Sequence, residues 1–182
     1  MSETPEVVKL AQAYADWCHG HQDFEPATVA RAVELGTSLV VAAGHWRPAV
    51  MALRKYWKKK HGCPLAGVHD SHLDGKVSPN LLQYVRHVAS HGVTTRQPTP
   101  ETRWRTKPHQ SAKDHVLEAY QKIWKDAKQG RILLVKSDLA TALSGILAEP
   151  YGRVPKLNPD HTVSSEGRFI HDERRVNAMG SK

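Results

Sequence analysis

The chain has 182 residues, which suffices for one ordinary domain or two small ones. Its hydrophobic content of 40% is enough for a core and argues against global disorder. The 26 Lys and Arg residues against 18 Asp and Glu residues give a net charge of +8. This excess of positive charge is compatible with a phosphate-rich partner such as nucleic acid, and equally with ordinary solubility.

The cysteine content and the N-terminus indicate the cellular compartment. Two cysteines, Cys18 and Cys63, are too few for a disulfide framework and indicate a reducing environment. The first ten residues have neither the basic nor the apolar region of a secretory signal. The longest apolar run, residues 39–43, is too short to cross a bilayer. We therefore predict a soluble intracellular protein, cytoplasmic or nuclear, with no membrane partner.

The first part of the chain has the apolar spacing of helices. Residues 5–17 form the first predicted helix, with Thr4 as its N-cap. Residues 26–43 form the second, which ends at Gly44. Because Gly36 interrupts this second pattern, two shorter pieces are an alternative to one continuous helix.

Two more helices and a proline-rich connector follow. The third helix is predicted at about residues 47–60, and the fourth begins at Pro79 and stops at Gly92. Residues 94–110 contain three prolines, which forbid a continuous helix, so this basic segment is the best candidate for a linker.

The second part of the chain changes from helix to strand. Residues 111–129 are the clearest helix, and the apolar run 132–135 is ambiguous in type. Ser137 is predicted to cap a helix over residues 138–147. Strands are predicted near residues 152–157 and 167–171, with turn-forming residues after the first strand.

The predicted fold class is mainly α with a short C-terminal β-hairpin. The predicted organisation is a helical region at residues 1–93, a Pro-rich basic linker at 94–110, and helices leading into the hairpin at 111–182.

The hairpin carries positive charge on what strand alternation predicts to be one face. Val154 and Lys156 share a face of the first strand, and Arg168 and Ile170 share a face of the second. Pairing of the strands is expected to bring Lys156 close to Arg168. Two such cations without a nearby carboxylate would bind an anion such as a triphosphate. The alternative is an ordinary basic hairpin with solvated charges.

The order of residues in and after the hairpin resembles a known family. The matching positions are Val154, Pro155, Lys156, Arg168, Ile170, Asp172, Arg174, Val176 and Asn177. This order is similar to that in the fingers of reverse transcriptases, the RNA-directed DNA polymerases of retroelements, and is closest to the retrotransposon type. The resemblance covers about residues 140–182, so it implies an incomplete reverse-transcriptase-like fingers element.

The resemblance implies roles for five residues. Lys156 and Arg168 would contact the triphosphate of the incoming deoxynucleotide, which positive charge stabilises during phosphoryl transfer. Asp172, Arg174 and Asn177 would anchor the fingers to the palm.

The resemblance also implies that the catalytic centre is missing. The metal-binding aspartates of such polymerases lie in the palm, downstream of the fingers, and no Y-x-D-D-like segment occurs in this chain. Mg²⁺ is therefore expected only together with that palm. We expect a polymerase fragment with nucleotide and template contacts that is inactive alone. The alternative is a non-enzymatic helical protein that binds nucleic acid or another partner.

Other basic residues are candidates for contacts with RNA or DNA backbone: Arg54, Lys58, Lys59, Arg103 and Arg105. Trp57 lies in the same segment as Arg54, Lys58 and Lys59 and is available for base stacking. The competing interpretation places Trp57 in the core and leaves the lysines as a solvated helix end.

Histidine and cysteine occur together twice, in Cys18-His19-Gly20-His21 and in His61-Gly62-Cys63. A Cys2His2 zinc site is chemically reasonable, but the spacings match no standard zinc finger. We therefore predict no metal site.

Overall fold

The computed structural model describes residues 4–61, 76–91, 107–143 and 149–171. Within these ranges the chain forms seven helices and one antiparallel hairpin, which confirms the predicted fold class. The helices are α1 (Pro5–Gly20), α2 (Pro26–Ala43), α3 (Trp46–His61), α4 (Pro79–His91), α5 (Gln110–Lys113), α6 (Val116–Lys128) and α7 (Ser137–Ala142). The strands are β1 (Tyr151–Leu157) and β2 (Val163–His171).

The ends of α1 and α2 follow the predicted capping residues. The hydroxyl of Thr4 accepts a hydrogen bond from the backbone N–H of Val7 at 3.4 Å, so Thr4 is the N-cap of α1. Gly44 ends α2 in the left-handed region, with φ of 72°. Both predictions are confirmed.

Gly36 does not divide α2, and the alternative of two shorter pieces is wrong. It is buried within an uninterrupted helix, opposite the backbone of the segment 132–135. A Cβ atom at this position would overlap the carbonyl oxygen of Leu134. The glycine therefore allows α2 to pack closely against the segment 132–135. From the sequence alone, a glycine needed for close packing cannot be distinguished from one that interrupts a helix.

The hydrophobic core lies between α1, α2, α3 and α6. One cluster contains Tyr14, Leu53 and Trp124, and the second contains Leu39 and Val40. The segment 132–135, which was ambiguous in the sequence, lies along both clusters without forming helix or strand. Segments on the two sides of the predicted linker therefore share one core.

A polar contact holds the segment 132–135 in place. The hydroxyl of Tyr14, whose residue is fully buried, donates to the carbonyl of Ile132 at 3.1 Å and accepts from the N–H of Leu134 at 2.9 Å. Burial is the main cause that raises the pKa of Tyr14 far above its usual range, so the phenol stays neutral. One side chain thus satisfies two backbone groups that a strand partner would otherwise bind.

The helix predicted over residues 111–129 is broken near its start. The chain leaves helical geometry at His115, and the short α5 precedes the break. The side chain of Gln110 donates to Asp114 at 2.7 Å, which stabilises the turn. The break allows α5 to contact β1, because the N–H of His109 binds the carbonyl of Tyr151 at 3.0 Å.

The last helix is also shorter than predicted. Ser137 is the first helical residue rather than the cap, and Lys136 occupies the N-cap position without a side-chain hydrogen bond. Asp138 accepts a hydrogen bond from the N–H of Leu139 at 2.8 Å. The helix ends at Ala142, and residues 144–148 lie outside the described ranges.

The two strands pair antiparallel, with Val154 opposite Arg168 and Pro155 opposite Gly167. An irregularity between Pro155 and Leu157 shifts the register toward the turn. Both strands begin earlier than predicted, at Tyr151 and Val163. Pairing continues to these residues because the reversal at 158–162 is closed by a 2.8 Å hydrogen bond from Asn158 N–H to the Thr162 carbonyl.

No single helix in the described ranges is long and apolar enough to cross a membrane. The helices α2 and α3 meet the length and composition criteria only as a pair, and the chain bends by 115° between them.

Candidate nucleic-acid interface

The helix α3 has one buried face and one basic face. Its buried residues, Ala49, Ala52 and Leu53, pack on the core. Six of its 16 residues are Lys or Arg and none is acidic. The basic residues are Arg47, Arg54, Lys55, Lys58, Lys59 and Lys60.

Three of these residues form a stripe on the face opposite the core. Arg47, Arg54 and Lys58 follow i, i+7 and i+11 spacing, and Met51 lies between them on the same exposed face. Arg54, Lys58 and Lys59 form no ion pair with any residue in the described part of the chain. We call Arg47, Arg54 and Lys58 the α3 basic face; Lys59 is also exposed but, as the residue after Lys58, projects about 100° away from it around the helix.

Lys60 differs from this set because it is paired. Its ammonium group contacts the carboxylate of Asp16, which also accepts from the hydroxyl of Tyr56 at 2.9 Å. Burial acts to raise the pKa of Asp16, but the hydrogen bonds from Lys60 and Tyr56 outweigh it and lower the pKa. This pair links α3 to α1, so Lys60 has a structural role at the surface.

Aromatic rings gather at the C-terminal end of α3. The ring of Trp57 lies 4.1 Å from that of His61 and 5.6 Å from that of His19, measured between centroids. Desolvation, followed by the positive charge of His19 and Lys60, lowers the pKa of His61. Trp57 also packs partly against the core. Trp57 therefore supports the core, as the competing interpretation expects, and its ring also belongs to an aromatic cluster beside the lysines; base stacking by Trp57 stays a prediction.

The hairpin brings Lys156 and Arg168 to one face, as expected from alternation. Arg168 is exposed opposite Val154, and Lys156 follows two residues later on the same side of β1. The condition of an anion site without a nearby carboxylate is not met at Lys156. Its ammonium group lies 3.6 Å from the carboxylate of Glu166, which is 69% exposed. Arg168 pairs with no acidic side chain in the described ranges.

The opposite face of the hairpin is attached to the helices by an ion pair. The guanidinium of Arg153, with only 8% of its side chain exposed, donates to the carboxylate of Glu118 at 2.8 Å. It also donates to the carbonyl of Ser165 at 2.7 Å. Glu118 accepts the backbone N–H of Gly167 at 2.9 Å. We call Arg153, Glu118 and Gly167 the hairpin clamp.

The clamp sets the charge state of its carboxylate. The backbone hydrogen bond from Gly167 is the main cause that lowers the pKa of Glu118, and Arg153 lowers it further. Gly167 is required sterically, because a Cβ atom there would overlap the side chain of Arg153. β1 is also held at its outer edge, where the N–H of Arg153 donates to the hydroxyl of Ser111 at 3.1 Å.

Several predicted site residues lie outside the described ranges. They are Asp172, Arg174 and Asn177, assigned to anchoring of the fingers, and Arg103 and Arg105, assigned to backbone contact. Among the remaining candidates, Arg54, Lys58 and Lys59 lie together on α3, whereas Lys156 and Arg168 lie on the hairpin.

Of the residues considered for zinc, His19 and His61 lie together, with ring centroids 4.7 Å apart. Cys18 is fully buried in the core, and burial raises the pKa of its thiol to about 11. Cys63 lies outside the described ranges. No three His, Cys, Asp or Glu side chains among the described residues come close enough to share a metal ion.

Comparison with known proteins gives no relative. No protein-family model, curated protein or solved structure matches the chain.

Proposed function

We propose that this protein binds nucleic acid and that the α3 basic face contacts the phosphate backbone. The observation that carries the proposal is the separation of faces on α3. Arg47, Arg54 and Lys58 project from the side opposite the buried residues, on a helix without any acidic side chain. A row of cations along a helix is the electrostatic footprint of nucleic-acid binding.

The dimensions of α3 are compatible with this role. Arg47 and Lys58 are eleven positions apart in the α-helix, a separation of about 16 Å along its axis. One strand of B-DNA presents about five phosphates over that length, since phosphates follow at 3.4 Å per strand. Three or four cations on a rigid helix can therefore contact neighbouring phosphates without rearranging the backbone of the protein.

The proposal predicts backbone contact without sequence readout. Each phosphate that a Lys or Arg neutralises releases condensed counterions, so the affinity falls steeply with salt. Met51, in the centre of the basic face, has no hydrogen-bonding group for a base edge. We therefore expect nucleic-acid binding that is mainly electrostatic and that depends little on the nucleotide sequence.

The test is salt-dependent binding of labelled RNA and DNA, followed by fluorescence anisotropy. The triple variant R54Q/K58Q/K59Q should lower the slope of log affinity against log salt by about 2 to 3, from about 0.9 for each lost contact to duplex phosphate. The variant K9Q/K107Q/K113Q removes the same charge from exposed positions elsewhere and should retain most of the slope. Equal losses in the two variants, or no binding by the wild type at low salt, would contradict the proposal.

A specific observation supports a second proposal, that the chain is part of a retroelement RNA-directed DNA polymerase. Lys156 and Arg168 share one face of the hairpin, as an incoming deoxynucleotide triphosphate would require. The carboxylate of Glu166 then competes with the triphosphate for Lys156. Nucleotide binding at this face would therefore need either displacement of Glu166 from Lys156 or binding of the phosphates mainly by Arg168.

This second proposal has its own variants. R168Q should weaken binding of a deoxynucleotide triphosphate, whereas E166Q should strengthen it because Lys156 loses its competing carboxylate. K9Q, at an exposed position of α1, is a suitable control. Unchanged nucleotide affinity in R168Q would contradict the assignment. Primer extension by the 182-residue chain alone is expected to be absent, since the metal-binding palm residues are not in this sequence.

A further inference from the structure

A cleft lies between the chain that follows α1 and the second half of α6. Its volume is about 640 Å³, and it is open to solvent on one side. The residues that line it include His19, Asp23, Phe24, Lys125, Lys128 and Gln129. The cleft therefore combines an aromatic ring, a side-chain amide and two lysines.

The aromatic wall of the cleft is fixed in position. Phe24 packs partly on the core and stacks on Tyr120, with ring centroids 5.7 Å apart and an interplanar angle of 18°. Tyr120 is half exposed. A planar ring system entering the cleft would meet an apolar surface that needs no rearrangement, which is how aromatic side chains receive nucleobases.

The amide of Gln129 has an unused acceptor. Its Oε1 atom is buried, and no donor among the described residues reaches it. A buried acceptor without a donor is costly and calls for a specific explanation. Gln129 lines the cleft, so turning its amide toward a base in the cleft would let a base N–H group satisfy this oxygen, whereas an apolar ligand would leave it unpaired.

The two lysines differ in whether their ammonium groups already have partners. Lys128 donates to the backbone carbonyl and side chain of Gln22, at 2.9 and 3.0 Å, and so fixes the cleft wall. Lys125 is exposed and forms no ion pair within the described ranges. Asp23 contributes one negative charge, so the lysines leave the cleft with a net positive charge at neutral pH. This balance favours an anionic ligand, and Lys125 is the group available to bind its phosphate.

The cleft is continuous with the C-terminal end of α3. His19 lines the cleft and also makes an edge contact with Trp57, with ring centroids 5.6 Å apart. Lys58 of the α3 basic face is the next residue of the helix after Trp57. A strand that binds both the α3 basic face and the cleft would pass the rings of Trp57 and His19.

We propose that the cleft binds one unpaired nucleotide of a single strand, with its base against Phe24 and Gln129 and its phosphate at Lys125. This inference rests on the proposed function, because the α3 basic face supplies the other backbone contacts of the strand. A paired base cannot enter, since its edge and both ring faces are occupied in a duplex. The protein should therefore prefer single strands over duplexes of the same length.

The test compares three labelled 12-nucleotide probes by fluorescence anisotropy: a single strand, its duplex, and a strand of abasic residues with the same backbone. The wild type should bind the base-bearing strand at least about fivefold more tightly than the abasic strand, from stacking of one base. The variants F24L and K125Q should reduce this preference, and neither should alter duplex binding. F24L keeps an apolar side chain on the core, and K125Q changes only an exposed residue.

A substitution of Gln129 distinguishes a ligand-binding role of this residue from a structural role. Q129M removes the unpaired oxygen, so the melting temperature should remain the same or rise, while the affinity for the base-bearing strand falls by about fivefold or more. Equal affinity of the wild type for the base-bearing and abasic strands would overturn the inference and leave backbone binding by α3 intact. Absence of binding to all three probes would overturn the proposed function itself.

Discussion

The helical core and the hairpin are held by different forces. The core buries apolar side chains from four helices, including Tyr14, Leu39 and Leu53, each almost fully removed from solvent. The hairpin instead exposes Val154 and Ile170 and is attached by the hairpin clamp and by hydrogen bonds to α5. Burial of apolar area is nondirectional, whereas the clamp requires particular atoms at particular distances.

This difference predicts two levels of stability in one chain. Loss of an apolar side chain from the core should lower the free energy of unfolding of the whole described fold. Loss of a clamp residue should release the hairpin and leave the helices folded, because local opening need not involve the core. The outer edge of β1 is also attached to the helices, since Tyr151 and Arg153 are hydrogen-bonded to the start of α5.

The largest effect is expected from L53A. Leu53 is 2% exposed and lies in the cluster shared by α1, α3 and α6. Truncation should lower the free energy of unfolding by about 3 kcal/mol, from lost burial and the remaining cavity. Chemical denaturation followed by far-UV circular dichroism measures this change. The exposed M51A on the same helix is the control and should change stability little; a similar loss in both would contradict the assignment of faces on α3.

The next effect is expected from R153M, which keeps an unbranched apolar side chain but removes the guanidinium group and its charge. Glu118 would lose its partner while remaining partly hydrated, with 21% of its side chain exposed. The cost should therefore be about 2 kcal/mol, below that of a fully buried pair. It should appear as faster hydrogen exchange in residues 163–171, about tenfold or more, with little change in α1 and α2.

K156M is the matched control for R153M, because Lys156 lies on the other face of β1 in a solvent-exposed pair. Its hairpin amides should exchange at nearly the wild-type rate. If R153M instead destabilised α1 and the hairpin equally, the two regions would form one cooperative unit and the comparison would fail.

The sequence was sufficient to predict α1, α2 and α3 because their signals are local. Thr4, Gly44 and the apolar spacing of α1 to α3 act within a few residues, and the resulting predictions agree with the fold. Gly36 was misread because its role depends on Leu134, almost a hundred residues away in the chain. Local propensity contains no information on that packing, and the same holds for the break at His115.

The candidate site also has one part that the local sequence predicts and another that it does not. The basic residues of α3 are visible as a charge run, and helical periodicity places Arg54 and Lys58 on one face. The hairpin clamp was missed because Glu118 lies in a different element, 35 residues before Arg153. One signal was present: Gly167 stands within a predicted strand, where a glycine often marks close approach of another group.

A smaller effect than that of the clamp is expected from Y14F, which tests a polar contact inside the core. Removal of the hydroxyl leaves the N–H of Leu134 without its acceptor and the carbonyl of Ile132 without its donor. The expected loss is about 1.5 kcal/mol in the free energy of unfolding. Thermal denaturation measures it, with Y84F as a control at an exposed position. Equal stability of Y14F and wild type would show that water or another group replaces the hydroxyl.

The smallest effect concerns the pH dependence of the clamp. Because the pKa of Glu118 is lowered in the folded chain, its ionised form stabilises docking above the ordinary glutamate pKa of about 4.3. This contribution is lost as the pH falls through the lower folded pKa, so hairpin docking should weaken between about pH 5 and pH 3. E118Q removes the titrating group and costs about 1 kcal/mol at neutral pH, because the amide still accepts the N–H of Gly167.

The informative measurement is the difference between the wild type and E118Q, since Asp16 and Asp160 also have lowered pKa values and titrate in the same range. Exchange protection of the Arg168 and Ile170 amides, which face β1 in the paired strands, should favour the wild type near pH 6 when followed by NMR. That advantage should disappear near pH 3, while protection in α2 stays equal in the two proteins. A constant advantage across this range would mean that the charge of Glu118 does not contribute to docking, and that Gly167 and Ser111 hold the hairpin through neutral hydrogen bonds alone.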